Sequence, residues 1–72
     1  MRGLFSKRLT AARIRIARED MGMTVPDVAC YCGVTRKSVS DWESEKSVPR
    51  GDRIFFLSKL LGVSADWLLG LE

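Results

Sequence analysis

Residues that start helices and residues that end them alternate at short intervals along this sequence. Ser6 and Gly22 bracket a first segment, since a serine hydroxyl can cap a helix and a glycine can adopt the left-handed conformation that ends one. Thr24 and Gly33 bracket a second, shorter segment, and Thr35 follows almost at once. The pattern predicts five short helices, at about residues 7–21, 25–32, 36–44, 52–61 and 65–69.

The apolar residues fit the same division. In the fourth segment they recur at helical spacing between Ile54 and Leu61, and no part of the sequence alternates as a β-strand does. The 72 residues have room for one domain, and at 46% hydrophobic they can form a packed core. We therefore predict a single, compact, all-α domain of five helices over residues 1–72.

Several kinds of site are excluded by what the sequence lacks. With no histidine and only Cys30 and Cys32, the sequence lacks the four nitrogen and sulfur ligands of a structural zinc site. Two cysteines so spaced on a helix point to different faces and are not expected to form a disulfide. No apolar run approaches the ~18 residues of a membrane span, and the first nine residues lack the apolar stretch of a secretory signal. We predict a reduced, cytoplasmic chain with no metal, cofactor, membrane contact or small-molecule ligand.

Positive charge is concentrated at the start of the chain. The net charge is +3, but six cations precede the first acidic residue, Glu19. They are Arg2, Lys7, Arg8, Arg13, Arg15 and Arg18. Such a segment can neutralise phosphates, and it can equally be the solvated face of a helix, so charge alone does not decide the function.

The second and third segments meet the steric demands of two helices that cross at a tight turn. Ala29 is small where the helices would approach each other, and Gly33 can take the positive φ of the turn. Val34, Val39 and Trp42 supply apolar side chains that would tie the second helix of the pair to the rest of the domain. Together these features predict a helix-turn-helix over about residues 25–44.

The third helix presents a polar face if Val39 and Trp42 point inward. Steps of about 100° per residue then place four polar residues on the opposite side, with Arg36 on the flank. The four are Lys37, Ser40, Asp41 and Ser44. An ordinary amphipathic helix would look the same, but Arg36 and Lys37 at its start favour a helix that reads DNA, because Arg and Lys donate to guanine O6 and N7 in the major groove.

Residues 8–69 resemble the Cro/phage-repressor type of helix-turn-helix domain, the five-helix fold of the lambdoid repressors. The match consists of Gly22-Met23-Thr24, Val28-Ala29, Gly33-Val34-Thr35, Val39-Ser40, Trp42-Glu43, Pro49 and Leu60-Leu61-Gly62-Val63-Ser64-Ala65-Asp66-Trp67-Leu68-Leu69-Gly70. Trp42-Glu43 and the closing run are the most specific parts. The resemblance implies a lambda-repressor-like fold and a sequence-specific DNA-binding regulator of transcription, with a phage-type or Cro-like repressor as the first choice.

The resemblance also implies which residues touch DNA. Base edges would be read by Arg36, Lys37, Ser40 and Asp41. Phosphates would be held by Arg18, Thr24, Val25, Lys46, Ser47 and Arg50. In this family the arginine late in the first helix tends to pair with the glutamate after the tryptophan, so we expect an Arg18–Glu43 ion pair that orients the guanidinium toward DNA. The alternative is a surface pair worth ~0–1 kcal/mol.

This sequence departs from the family pattern at the predicted DNA face. Val25 stands where glutamine is common and cannot donate from its side chain, and Pro26 removes a backbone N–H from the start of the second helix. Asp41, Glu43 and Glu45 bring acids close to the DNA. Asp41 accepts a hydrogen bond from a cytosine amino group, repels unsuitable sequences, or is simply solvated.

The resemblance also leads us to expect a homodimer that binds a two-fold symmetric DNA operator. If its interface is small, the dimer forms firmly only on DNA. Phe56 is the candidate contact between chains, because it lies on the outer side of the fourth helix relative to Ile54, Leu57 and Leu61. The alternative is an isolated exposed phenylalanine, which is common on protein surfaces.

Other functions share this fold. An antitoxin or a controller of a restriction–modification system would look alike over 72 residues. An interaction module that has lost DNA binding is a rival of another class, which the basic Arg36, Lys37, Lys46 and Arg50 disfavour. An enzyme is not predicted, because there is no nucleophile–base pair and no phosphate-cradling glycine loop. The chain stops directly after its last predicted helix, so a second interpretation is that it forms the N-terminal part of a longer repressor.

Overall fold

The computed structural model describes residues 6–72, which form five helices. These are α1 (Lys7–Asp20), α2 (Val25–Cys32), α3 (Arg36–Glu43), α4 (Gly51–Leu61) and α5 (Ala65–Leu68). Each bound agrees with the predicted one to within a residue, and the described part of the chain contains no strand, so the all-α, five-helix fold is confirmed. Arg2 of the basic segment lies outside the described residues.

Most of the helices begin at a side-chain cap, where a hydroxyl accepts the backbone N–H three residues on at 3.0–3.2 Å. The capping residues are Ser6, Thr24, Thr35 and Ser64. α4 has no such cap and begins at Gly51, with the carboxylate of Asp52 in its first turn at the positive end of the helix dipole. Because each cap involves only neighbours in sequence, the helix starts are fixed locally.

Every helix contributes one completely enclosed side chain to a single core. In chain order these are Ile14, Val28, Val39, Leu57 and Leu68, each 0% exposed. Burial of one such side chain stabilises a fold by about 1.5–3 kcal/mol. No helix can therefore leave the core without exposing a large apolar group to water.

The turn between α2 and α3 is as short as the sequence predicts. Gly33 has a φ of 69°, in the left-handed region, and the N–H of Val34 donates to the carbonyl of Ala29 at 3.0 Å. Ala29 is buried where the two helices meet. Cys30 is exposed and Cys32 is buried, so the two thiols lie on different faces of α2.

The last residues pack against α1 through polar contacts. The N–H of Ser6 donates to the carbonyl of Leu69 at 2.9 Å. Arg13 Nη1 donates to the carbonyls of Trp67 at 2.6 Å and Glu72 at 2.9 Å, and the guanidinium carbon lies 4.9 Å from the centre of the Trp67 ring. Arg13, one of the cations of the basic segment, therefore connects α1 to α5 and to the last described residue.

Gly70 tests how tightly this end of the chain is packed. It has a φ of +77°, and a Cβ atom there would lie 3.2 Å from the Cβ atoms of both Leu9 and Ser6, whereas a Cβ at Gly33, with a φ of +69°, would meet open space. An alanine in the left-handed region costs ~1–2 kcal/mol at either position. We expect Gly70→Ala to lose about 1 kcal/mol more than Gly33→Ala in urea unfolding, because of overpacking. Equal losses would mean that the contact with α1 is loose.

Candidate nucleic-acid interface

One side of α3 is buried and the other is free. Val39 and Trp42 face the core, while Arg36, Lys37 and Ser40 are exposed. Arg36 makes no hydrogen bond or ion pair with any residue among 6–72, so its guanidinium is available to a ligand. The fold thus brings three of the predicted base-reading residues together on one accessible helix surface.

Asp41, the fourth predicted base-reading residue, is partly buried and already paired. Its Oδ2 accepts a hydrogen bond from Lys37 Nζ at 3.1 Å, one helical turn away. Exposed pairs of this kind are worth ~0–1 kcal/mol, so a DNA base can take the Lys37 ammonium at little cost. In the free domain the carboxylate of Asp41 is engaged by Lys37 rather than by solvent alone.

The start of α2 is occupied by its own side chains. Thr24 Oγ1 accepts the N–H of Asp27 at 3.2 Å, and Asp27 Oδ2 accepts the N–H of Thr24 at 2.9 Å, which makes a capping box. In the first turn of α2, Pro26 has no N–H and the amide of Asp27 is used by the cap. The amide of Val25 is the one that remains, and it donates to no acceptor among residues 6–72. A phosphate bound here would meet this amide and the helix dipole, with the carboxylate of Asp27 opposing it. The sequence analysis did not predict this capping box, although the Thr-x-x-Asp spacing is a signal from which it could have been predicted.

A bidentate ion pair ties the end of α1 to the end of α3. Arg18 Nε donates to Glu43 Oε2 at 2.7 Å, and Nη2 donates to Oε1 at 3.0 Å. Arg18 Nη1 donates to the carbonyl of Met23 at 2.9 Å, just before α2. The two charged side chains are only 11% and 9% exposed. The predicted pair is therefore confirmed, and the surface-pair alternative is wrong.

This pair fixes the direction of the Arg18 guanidinium and favours its charged form. The hydrogen bond to Glu43 raises the pKa of Arg18 above its ordinary value, although partial burial acts the other way. A guanidinium has five N–H donors. Three are used by Glu43 and Met23, which leaves one on each terminal nitrogen. The predicted contact of Arg18 with a phosphate stays a prediction that depends on these remaining donors.

The loop after α3 carries three of the side chains that are predicted to hold phosphates. Lys46, Ser47 and Arg50 are all exposed. The amides of Lys46 and Ser47 already donate to the carbonyl of Asp41, at 2.9 and 3.3 Å. Arg50 lies 3.3 Å from the carboxylate of Asp52 in a well-solvated pair that is easily broken. A phosphate contact at Lys46 or Ser47 must therefore be made by the side chain.

A second accessible surface lies on α4. Phe56, the predicted dimer contact, is 41% exposed, and the neighbouring Phe55 is 62% exposed. Phe55 also borders an apolar groove of about 450 Å³ between the loop before α4 and α5. The other residues that line it are Val48, Pro49, Gly51, Ile54, Ala65 and Leu69. Helical spacing alone did not indicate Phe55, because the groove exists only once α5 is docked beside α4.

Two other kinds of site are missing from residues 6–72. No three or more histidine, cysteine, aspartate or glutamate side chains in this part are grouped to hold a metal ion. None of its helices is both long enough and apolar enough to cross a membrane. The accessible charges of α3 and the following loop are the cations Arg36, Lys37, Lys46 and Arg50 and the carboxylate of Glu45.

The sequence matches a known family over most of its length. The helix-turn-helix family HTH_3 matches residues 14–68, which include all of α2, α3, α4 and α5. The chain belongs to this helix-turn-helix family. The resemblance to phage repressors is confirmed by its relatives and by structures with the same fold.

Two relatives illustrate the match. The HTH-type transcriptional regulator DicA of Escherichia coli (strain K12) is 38% identical over 65 residues, which are 89% of this chain and 48% of DicA. Repressor protein C2 of Salmonella phage P22 is 32% identical over 62 residues, which are 86% of this chain and 29% of that repressor. The chain thus spans about half the length of these curated relatives or less.

Solved structures of this helix-turn-helix fold superpose closely. The P22 c2 repressor in complex with a synthetic operator has a TM-score of 0.83 and 31% identity, covering 89% of this chain and 97% of that one. SinR, a master regulator for biofilm formation, in complex with DNA has a TM-score of 0.76 and 26% identity, covering 83% of this chain and 97% of that one. The lambdoid repressor fold is therefore confirmed.

The Arg18–Glu43 pair makes a testable contribution to stability. Arg18→Met leaves the carboxylate of Glu43 largely buried without its cation, and we expect it to lower the free energy of unfolding by about 3 kcal/mol. Adding Glu43→Leu replaces both charges with apolar groups, so the double variant should lose at least ~1.5 kcal/mol less than the sum of the single losses. Urea unfolding of both single variants and the double variant measures this coupling. Additive losses would contradict it.

Proposed function

We propose that this protein binds double-stranded DNA sequence-specifically and regulates transcription as a repressor. The observation that carries the proposal is the free surface of α3, where Arg36, Lys37 and Ser40 project from a helix held from behind by Val39 and Trp42. The major groove of B-DNA, about 12 Å wide, admits a single α-helix, and its base edges offer acceptors to Arg and Lys. A cytoplasmic location goes with this role.

Two proteins with this fold, the P22 c2 repressor and SinR, are seen bound to DNA, which supports the same use of the fold here. α3 would read base edges with Arg36, Lys37, Ser40 and Asp41. The residues proposed to hold phosphates are Arg18, Thr24, Val25, Lys46, Ser47 and Arg50. Most of the residues that would hold phosphates then lie outside α3, which would read the bases. Substitutions can therefore test the two roles separately.

Substitutions in α3 and in the loop should have different signatures. Arg36→Ala or Lys37→Ala should cost ~1–3 kcal/mol on the operator and relax the preference at one base pair, with a smaller effect on other DNA. Lys46→Ala or Arg50→Ala should weaken all sequences alike, and should reduce the slope of log affinity against log salt by about one unit. Titration against operator and scrambled duplexes at several salt concentrations separates the two.

The operator for these titrations comes from selecting bound sequences out of a random DNA pool. Equal losses on operator and scrambled DNA for both α3 variants would rule out α3 as the reading element. A protein that selects no sequence and binds no duplex would not be a DNA-binding regulator. It would then fit the interaction-module alternative.

We further propose that two copies bind a two-fold symmetric operator, with half-site centres about one helical turn apart. Phe55 projects beside an apolar groove on the same surface, and a two-fold interface requires such self-complementarity. Standard interfaces involve about 20–30 residues a side, so a contact this small would form firmly only on DNA. Phe56, one residue further along α4, is the contact that the sequence predicts.

Lysine substitutions at the two phenylalanines test this dimer. Phe55→Lys should reduce cooperative binding to the full operator, while affinity for an isolated half-site stays the same. Phe56→Lys should act in the same direction but more weakly, because Phe56 is less exposed and does not line the groove. Unchanged cooperativity in both variants would make both residues ordinary surface residues, and footprinting of a single asymmetric half-site would contradict the dimer itself.

A further inference from the structure

Among residues 6–72, Glu45 is the residue in the left-handed region that is not a glycine. Its φ is 67°. The glycines with similar φ, between 69° and 77°, are Gly22, Gly33, Gly62 and Gly70. A residue with a Cβ atom costs ~1–2 kcal/mol in this conformation. Glutamate at position 45 is therefore less favourable for folding than glycine would be. The stability of the fold does not explain why glutamate stands there, and a functional role would.

The backbone turn at Glu45 has a clear structural role. It directs the chain back over the end of α3, so that the amides of Lys46 and Ser47 both donate to the carbonyl of Asp41. The turn sets where these two side chains lie relative to α3. This explains the left-handed conformation at position 45, but a glycine would make the same turn with less strain.

The side chain of Glu45 has no partner that offsets this cost. It is exposed, and no cation within residues 6–72 forms an ion pair with it inside 4.0 Å. It borders a cleft of about 310 Å³ together with Arg8 and Arg15 of α1, without touching either closely enough to pair. Its nearest functional neighbours along the chain are Lys46 and Ser47, the proposed phosphate-binding residues.

We propose that Glu45 is an affinity-limiting residue, whose carboxylate repels the DNA backbone held by Lys46 and Ser47. This inference rests on the proposed DNA-binding function. A charge acts on phosphates within roughly the Debye length, ~10 Å at 0.1 M salt, and is screened as salt rises. Because every sequence carries the same phosphates, the repulsion lowers affinity for operator and other DNA alike and leaves base preference unchanged.

Three variants separate charge, backbone and position. Glu45→Gln removes the charge but keeps the side-chain size and the strain, whereas Glu45→Gly removes both. Asp66→Asn is the matched control, because it makes the same change in net charge on α5, which carries none of the residues proposed to touch DNA. Affinities for operator and scrambled duplexes would be measured from about 0.05 M to about 0.3 M salt.

We expect Glu45→Gln and Glu45→Gly each to raise affinity about fivefold for both duplexes, with a gain that shrinks as salt rises. Asp66→Asn should change affinity less than about twofold, since α5 carries none of the proposed DNA contacts. Glu45→Gly should also unfold at a higher urea concentration than Glu45→Gln, because only glycine relieves the left-handed strain.

Several results would overturn the inference. These are no gain with Glu45→Gln, a gain on the operator alone, or an equal gain with Asp66→Asn. A marked loss of stability in Glu45→Gln would show instead that Arg8 and Arg15 retain the carboxylate. If the wild-type protein bound no duplex, the proposed function itself would fail. Normal wild-type binding with an unchanged Glu45→Gln would count against the role of Glu45 only.

Discussion

The ion pair between Arg18 and Glu43 determines how α3 is held. α3 has only eight residues, and helices this short are not stable in water by themselves. Val39 and Trp42 anchor one side of it to the core, and Glu43 anchors its last turn to α1. The same guanidinium binds the carbonyl of Met23 ahead of α2, so three segments meet at one charge. Apolar burial supplies most of the stability, and this charge fixes the relative placement of the helices.

Asp41 links the surface that would read bases to the loop that would hold phosphates. Its carboxylate binds Lys37 on the free side of α3, while its carbonyl accepts the amides that close the end of the helix. A side-chain substitution at this position changes the first interaction and leaves the second, because the carbonyl belongs to the backbone. The backbone hydrogen bonds that shape the loop therefore do not depend on which side chain stands at position 41.

The sequence predicted best what depends on near neighbours. Helix starts follow from caps three residues apart, and the free face of α3 follows from the spacing of Val39 and Trp42, so both were placed correctly. The Arg18–Glu43 pair joins residues that are 25 apart, and it was anticipated only through the family resemblance. The roles of Arg13 and Phe55 depend on where α5 docks, which no local pattern encodes. The left-handed conformation of Glu45 was not predicted, because a sequence pattern indicates that conformation mainly through glycine.

The five enclosed side chains, one from each helix, make the domain a single cooperative unit. Detaching any helix would expose part of the shared core, so the energetic cost of opening one element approaches that of opening them all. Slow hydrogen exchange should accordingly be spread over α1 to α4 rather than confined to one helix pair. A DNA-reading surface built on such a rigid body cannot be switched by partial unfolding. Under the proposed function, its occupancy is set from outside the fold, by the charges around the loop and by the assembly of copies on the duplex.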